Sequence, residues 1–312
     1  MVTSRAHMAR KPRPWLKVLL SGLALWAATV LVTVATANSN LLPTIVLLGS
    51  FLVPVTFVVW AYEHGTSGAI TVPLLFRGFV VGGVLGVLGA SVLERYLLHP
   101  SLWMYFGVGL IEEAVKMAAL VFVARQMRVR TMRDGLVLGA TVGFGFAAFE
   151  SSGYAFNALF TVQGISVRSM VETEILRGLL SPLGHGLWTA IIGGVLFAAS
   201  RSHWRLTGGV VLTYLGVSVL HALWDSMHGI AIALTLFLTG TPWQYQLLDH
   251  GYLPRATNAQ GHLITVMNWA GLIVISAVAL LWLRVLTDRS RVTPRPPVPA
   301  PGVPGASYPG SS

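Results

Sequence analysis

The sequence contains no cysteine, which excludes disulfides, thiolate metal sites and cysteine nucleophiles. Any metal must therefore be held by histidine or carboxylate, a donor set suited to zinc or another divalent ion. Charge is also scarce. Only 10% of the 312 residues are charged, against about 25% in an ordinary soluble domain. With 54% hydrophobic residues and a mean hydropathy of +0.70, the chain reads as an all-α polytopic membrane protein. The net charge of +10 does not signal nucleic acid, because the basic residues form no single patch and recur between apolar segments.

Apolar segments occur at about 15–37, 41–62, 72–93, 102–124, 134–160, 179–200, 207–239 and 263–286, predicting about eight spans. The seventh is too long for one straight crossing and is expected to kink or break near Asp225–Gly229. With the N-terminus inside, the cytosolic segments hold 16 Lys and Arg and the outer ones hold four, with Lys116 left inside the membrane. That asymmetry places both termini in the cytosol. Residues 1–14 read as a basic cytosolic tail, followed by a first span retained as an anchor because no convincing cleavage site follows it. Residues 15–290 form the membrane-embedded domain, and the Pro/Gly-rich stretch 291–312 reads as a disordered tail. Glycines at 82, 86 and 89, and at 135, 139 and 143, have the spacing of close helix packing in lipid.

Several membrane-embedded residues break the apolar pattern. Glu112, Glu113 and Lys116 sit in the middle of one span, where each charge costs about 2.5–3.5 kcal/mol on insertion scales. On a helix Lys116 lies one turn beyond both glutamates and neutralises one of them, leaving the other in need of a partner. Glu150 and Tyr154 lie one turn apart in FESSGYA, His185 opens the next span, and His221 and Asp225 stand at i and i+4 in HALWD. Counting residues from the span ends places these sites at compatible depths, in one cavity opening outward. A membrane histidine alone is more commonly a helix–helix hydrogen bond, and Tyr154, Trp188 and Trp224 read as packing residues. The convergence of four spans is what argues for a functional cavity. Two histidines with Glu150 or Asp225 would suit a catalytic zinc, with Glu112 or Glu113 as general base. Carboxylate and histidine chains also relay protons in transporters, but those carry internal repeats and this chain shows none. A catalytically silent scaffold is the remaining alternative.

EEAVK at 112–116, FESSGYA at 149–155, His185 and HALWD at 221–225 together resemble the PrsW family of intramembrane proteases, related to the CAAX prenyl endopeptidases. The resemblance runs over roughly residues 40–240. Lysine at 116, where the prenyl-processing group has an arginine one residue later, favours PrsW. It implies that Glu112, Glu113, Lys116 and Glu150 serve catalysis and that His185, His221, Glu150 and Asp225 are the metal-binding positions. It further implies cleavage of a single-span membrane protein, such as an anti-sigma factor, near the outer face of a bacterial plasma membrane.

Overall fold

The computed structural model describes residues 13–65 and 69–292, so the sequence readings of both tails lie outside the described residues except at their inner edges. The chain folds as α1 (Pro14–Thr36), α2 (Leu42–Gly65), α3 (Val72–Val80), α4 (Gly86–Leu97), α5 (Met104–Ala124), α6 (Met132–Ala158), α7 (Val167–Leu180), α8 (His185–Ala199), α9 (Gly208–Thr239), α10 (Pro242–Asp249) and α11 (Asn258–Val292). A π-helical turn at Val81–Leu85 joins α3 to α4, and a 3₁₀ turn at Ser181–Leu183 joins α7 to α8. The described strands are a two-residue pair, Phe160–Thr161 with Gly164–Ile165, in the link between α6 and α7. Seven of the described stretches are long and apolar enough to cross a membrane. The 21-residue α5, with its three central charges, is not among these seven.

Two expectations need correction. Residues 167–178, read as an outer connection, belong to α7, a helix that leads directly into the turn before His185. The predicted break near Asp225–Gly229 is absent, and α9 is helical from Gly208 to Thr239. The polar residues there find partners without a break: Asp225 Oδ2 lies 3.3 Å from His221 Nε2, and Ser226 Oγ donates to the Ala222 carbonyl at 2.6 Å. A lone glycine within a long helix costs only about 1 kcal/mol relative to alanine.

The central element is α6, of which the most apolar stretch is 72% buried, against 6% for the peripheral α1. The reason is legible in its sequence. Gly135, Gly139 and Gly143 lie four residues apart on one face, and α8 packs against that face with its backbone. A Cβ on Gly143 would run into the carbonyl oxygen of His185, and one on Gly139 into that of Thr189. Glycine is thus required at 143 for His185 to sit where it does. Gly143→Ala is expected to lower stability by about 1–3 kcal/mol, as overpacking does, read as a lower melting temperature in detergent. Wild-type melting would show that the interface has room.

Spans alternate in direction, so the end of α6 and the starts of α5 and α8 share one side. Glu112 lies eight residues after Met104 and Glu150 eight before Ala158, about 12 Å in from that side. His185 lies 14 residues before Ala199, and His221 13 after Gly208, each about 20 Å from the opposite end. Across an apolar core of about 30 Å, four residues on four helices reach one level.

Candidate active site

The site is built around Lys116. Its ammonium has three protons, and three acceptors meet it: Glu112 Oε2 at 3.0 Å, Glu113 Oε1 at 2.9 Å and His185 Nδ1 at 2.8 Å. Lys116 therefore bonds both glutamates of its own helix together with α8, where the sequence suggested that it neutralises one. Its ammonium also stands 4.1 Å from the ring centre of Phe146. Glu113 and Lys116 are fully buried, and Glu112 nearly so.

These contacts assign the histidine tautomers. An ammonium only donates, so Nδ1 of a neutral His185 accepts and Nε2 carries the hydrogen. That Nε2 stands 3.0 Å from Glu150 Oε2 and donates to it. Glu150 in turn pairs with Arg177 of α7, whose Nε donates to Ser151 Oγ at 2.9 Å. Arg177 is also held over the ring of Tyr154 at 4.1 Å.

The second histidine is held from the other side. His221 Nδ1 stands 3.0 Å from Glu113 Oε1, so it donates there. Its Nε2 then faces Glu112 Oε2 at 3.6 Å and Asp225 Oδ2 at 3.3 Å. A lone pair aimed at two carboxylate oxygens is repulsive, and the contact becomes favourable only with a proton or a cation between them. Trp188 packs on the His221 ring at 4.6 Å and edge-on to His185 at 5.4 Å, completing an apolar wall.

Ligand atoms of Glu112, His185 and His221 lie within 4.8 Å of one another. Each histidine offers one ring nitrogen inward and donates with the other to a carboxylate, Glu150 or Glu113, the arrangement that orients metal-binding imidazoles. Four carboxylates, Glu112, Glu113, Glu150 and Asp225, surround the histidines, against one ammonium and one guanidinium. Such an excess of carboxylates favours a bound cation. Glu113 Oε2 is buried without a partner, a costly state for a carboxylate oxygen and one that a water molecule would relieve.

All seven residues singled out in the sequence thus meet in one cluster. Glu112 stands with the histidines as an inward-facing donor, whereas Glu150 lies on the outer nitrogen of His185. Asp225 is at the more exposed rim. His228, the third polar residue of that stretch, is exposed. The sequence pattern does not point to Arg177, which lies between the apolar segments 134–160 and 179–200, or to Glu94 of α4. Glu94 lies in the electrostatic field of Glu112, Glu150, His221 and Lys116, and its Oε1 is buried without a partner. A carboxylate near the end of an apolar span is the signal that could have revealed it.

Residues 53–248 match the family described as PrsW family intramembrane metalloprotease. Over 172 residues the chain is 25% identical to a protein named Protease PrsW from Halalkalibacterium halodurans, covering 53% of this chain and 75% of that relative. No solved structure matches it. The whole cluster falls inside the matched family region.

Proposed function

Because this chain belongs to the PrsW family of intramembrane metalloproteases, and so is a membrane-embedded peptidase, we propose that it hydrolyses a peptide bond of a single-span membrane protein of the anti-sigma-factor type. The observation that carries this reading is the convergence of Glu112, His185 and His221 from three helices, with His221 Nε2 facing two carboxylate oxygens. Under this proposal those three residues hold the metal, His185 Nδ1 giving it the lone pair that a Lys116 proton otherwise takes. The ammonium then stays on Glu112 and Glu113. The absence of sulfur ligands favours zinc. A zinc ion so held supplies a Lewis acid that makes a bound water acidic near neutral pH.

The protein's own groups do the rest. Glu113 Oε2, the partnerless oxygen, accepts a proton from the water as its oxygen adds to the peptide carbonyl carbon. Passing that proton to the nitrogen lets the C–N bond break and a neutral amine leave. Lys116 bridges Glu112 and Glu113 and holds them side by side, and Glu150 with Arg177 holds His185 in one tautomer. Asp225 and Arg177, about a quarter exposed, form the mouth through which the substrate backbone enters. Positive-inside topology puts both termini in the cytosol and the mouth toward the outer face of a bacterial plasma membrane.

The test is metal analysis and cleavage with detergent-purified protein, offered a panel of single-span proteins from the same cell. Near-stoichiometric zinc is expected, with cleavage stopped by chelation and restored by zinc. Glu112→Gln is expected to lose both metal and cleavage. Cleavage by metal-free protein would overturn the metal reading. Separately, Glu150→Gln is expected to weaken metal affinity by about 10–100-fold, measured by competition with a chelator, because it disturbs the partner that orients His185. An unchanged affinity would confine Glu150 to packing.

A further inference from the structure

A second site lies at the far end of α5. A cavity of about 440 Å³ is lined by Thr71 at the N-cap of α3, Leu74 in its first turn and Arg77 in its last, and by Val123, Gln126 and Arg128 at and beyond the end of α5, among others. Val123 is 11 residues beyond Glu112, so the cavity is about 16 Å along the helix axis from the active site. None of the described lining residues is acidic.

Its polar groups are all suited to an anion. Arg77 and Arg128 bring two guanidinium groups, which match phosphate oxygens in pairs and enter no ion pair among the described residues. Arg77 is held 5.3 Å over the ring of Phe122, which limits the side-chain freedom lost on binding. Thr71 and Gln126 add a hydroxyl and an amide, and the N-terminal end of α3 contributes a partial positive charge. The opposing end of α5 is partly neutralised from within: Arg125 Nη1 donates to the Phe122 carbonyl at 3.4 Å and the Met127 amide to that of Ala124 at 3.0 Å.

The surroundings of the cavity point to the source of the anion. Leu74, Val123, Met127 and Val129 line part of its wall, and Val72, Phe76 and Phe122 are exposed on the adjoining helix faces. A headgroup seated between the arginines therefore has an apolar path for its acyl chains. The position, at the ends of two spans on the face assigned to the cytosol, is where anionic lipids concentrate. We propose that this cavity binds the phosphate of an anionic phospholipid headgroup. The inference does not depend on the chemistry proposed at Glu112 and Glu113.

Native mass spectrometry of the full chain in detergent tests it, with phosphatidylglycerol, phosphatidylcholine and glycerol 1-phosphate as probes. Wild type is expected to retain phosphatidylglycerol at least tenfold better than the Arg77→Gln/Arg128→Gln double variant, with phosphatidylcholine weak in both. Arg284→Gln, which alters an exposed charge on α11 outside the lining, is the control and is expected to bind as wild type. If the double variant fails to fold, Arg128→Gln alone, at an exposed position, is expected to lose several-fold. Glycerol 1-phosphate displacing the lipid would support the phosphate site while naming a soluble source. Equal retention by wild type and either variant, or equal retention of the two lipids, would overturn the proposal.

Discussion

Glu113→Gln is expected to keep its metal and lose cleavage by about 10²–10⁴-fold, the usual contribution of a positioned general base. The amide is nearly isosteric, and its carbonyl oxygen still serves Lys116 and His221 in place of Oε1. Glu112, His185 and His221 are unchanged, so metal binding persists. What disappears is the partnerless carboxylate oxygen that takes the proton. At about 1.4 kcal/mol per factor of ten, the loss amounts to about 3–6 kcal/mol of transition-state stabilisation. Because catalysis is affected and substrate contacts are not, kcat should fall with KM nearly constant. Single-turnover cleavage alongside metal analysis separates the alternatives. Loss of metal would make Glu113 a ligand, and retained cleavage would move the base elsewhere.

The second large effect is on stability. Lys116→Met is expected to destabilise the fold by about 3–5 kcal/mol, because a buried charge is left without its partner. Here two carboxylates lose that partner, both in the least exposed part of the site, and His185 Nδ1 loses its donor. Against a total stability of about 5–15 kcal/mol, this should reduce accumulation in the membrane as well as melting temperature. The double variant Glu113→Gln/Lys116→Met removes one charge of each sign and should recover part of the loss, a non-additivity that a thermal series would measure. A Lys116→Met protein as stable as wild type would show that the glutamates are compensated by something other than this ammonium.

The helix-based part of the site was readable because helical spacing is local. Positions i, i+3 and i+4 put Lys116 against Glu112 and Glu113 on any α-helix, and i, i+4 put His221 beside Asp225. The glycine ladder at 135, 139 and 143 likewise marked the packing face of α6, though not that α8 would fill it. Arg177 was misread because the helix containing it is only weakly apolar over its own length. Without a neighbour to reveal that α7 leads into the turn at 181–183, its arginine resembled an outer-loop charge. The expected break in α9 failed for a related reason. Interruption by Asp, Ser and Gly ends a helix only if the polar groups lack partners, and here the partners lie one turn back on α9 itself.

Composition and local periodicity alone therefore determined that this chain is a helical membrane protein with polar residues buried at a shared depth. Scarce charge and long apolar runs leave no other way to satisfy the backbone in lipid, and the rise per residue sets depth. Which atom faces which was decided by tertiary structure. Only the approach of α8 and α9 to α5 gives His185 Nδ1 and His221 Nε2 to the interior and their other nitrogens to Glu150 and Glu113. The choice of nitrogen depends on separations of a few ångströms between residues 35 to 108 positions apart, which no local rule encodes.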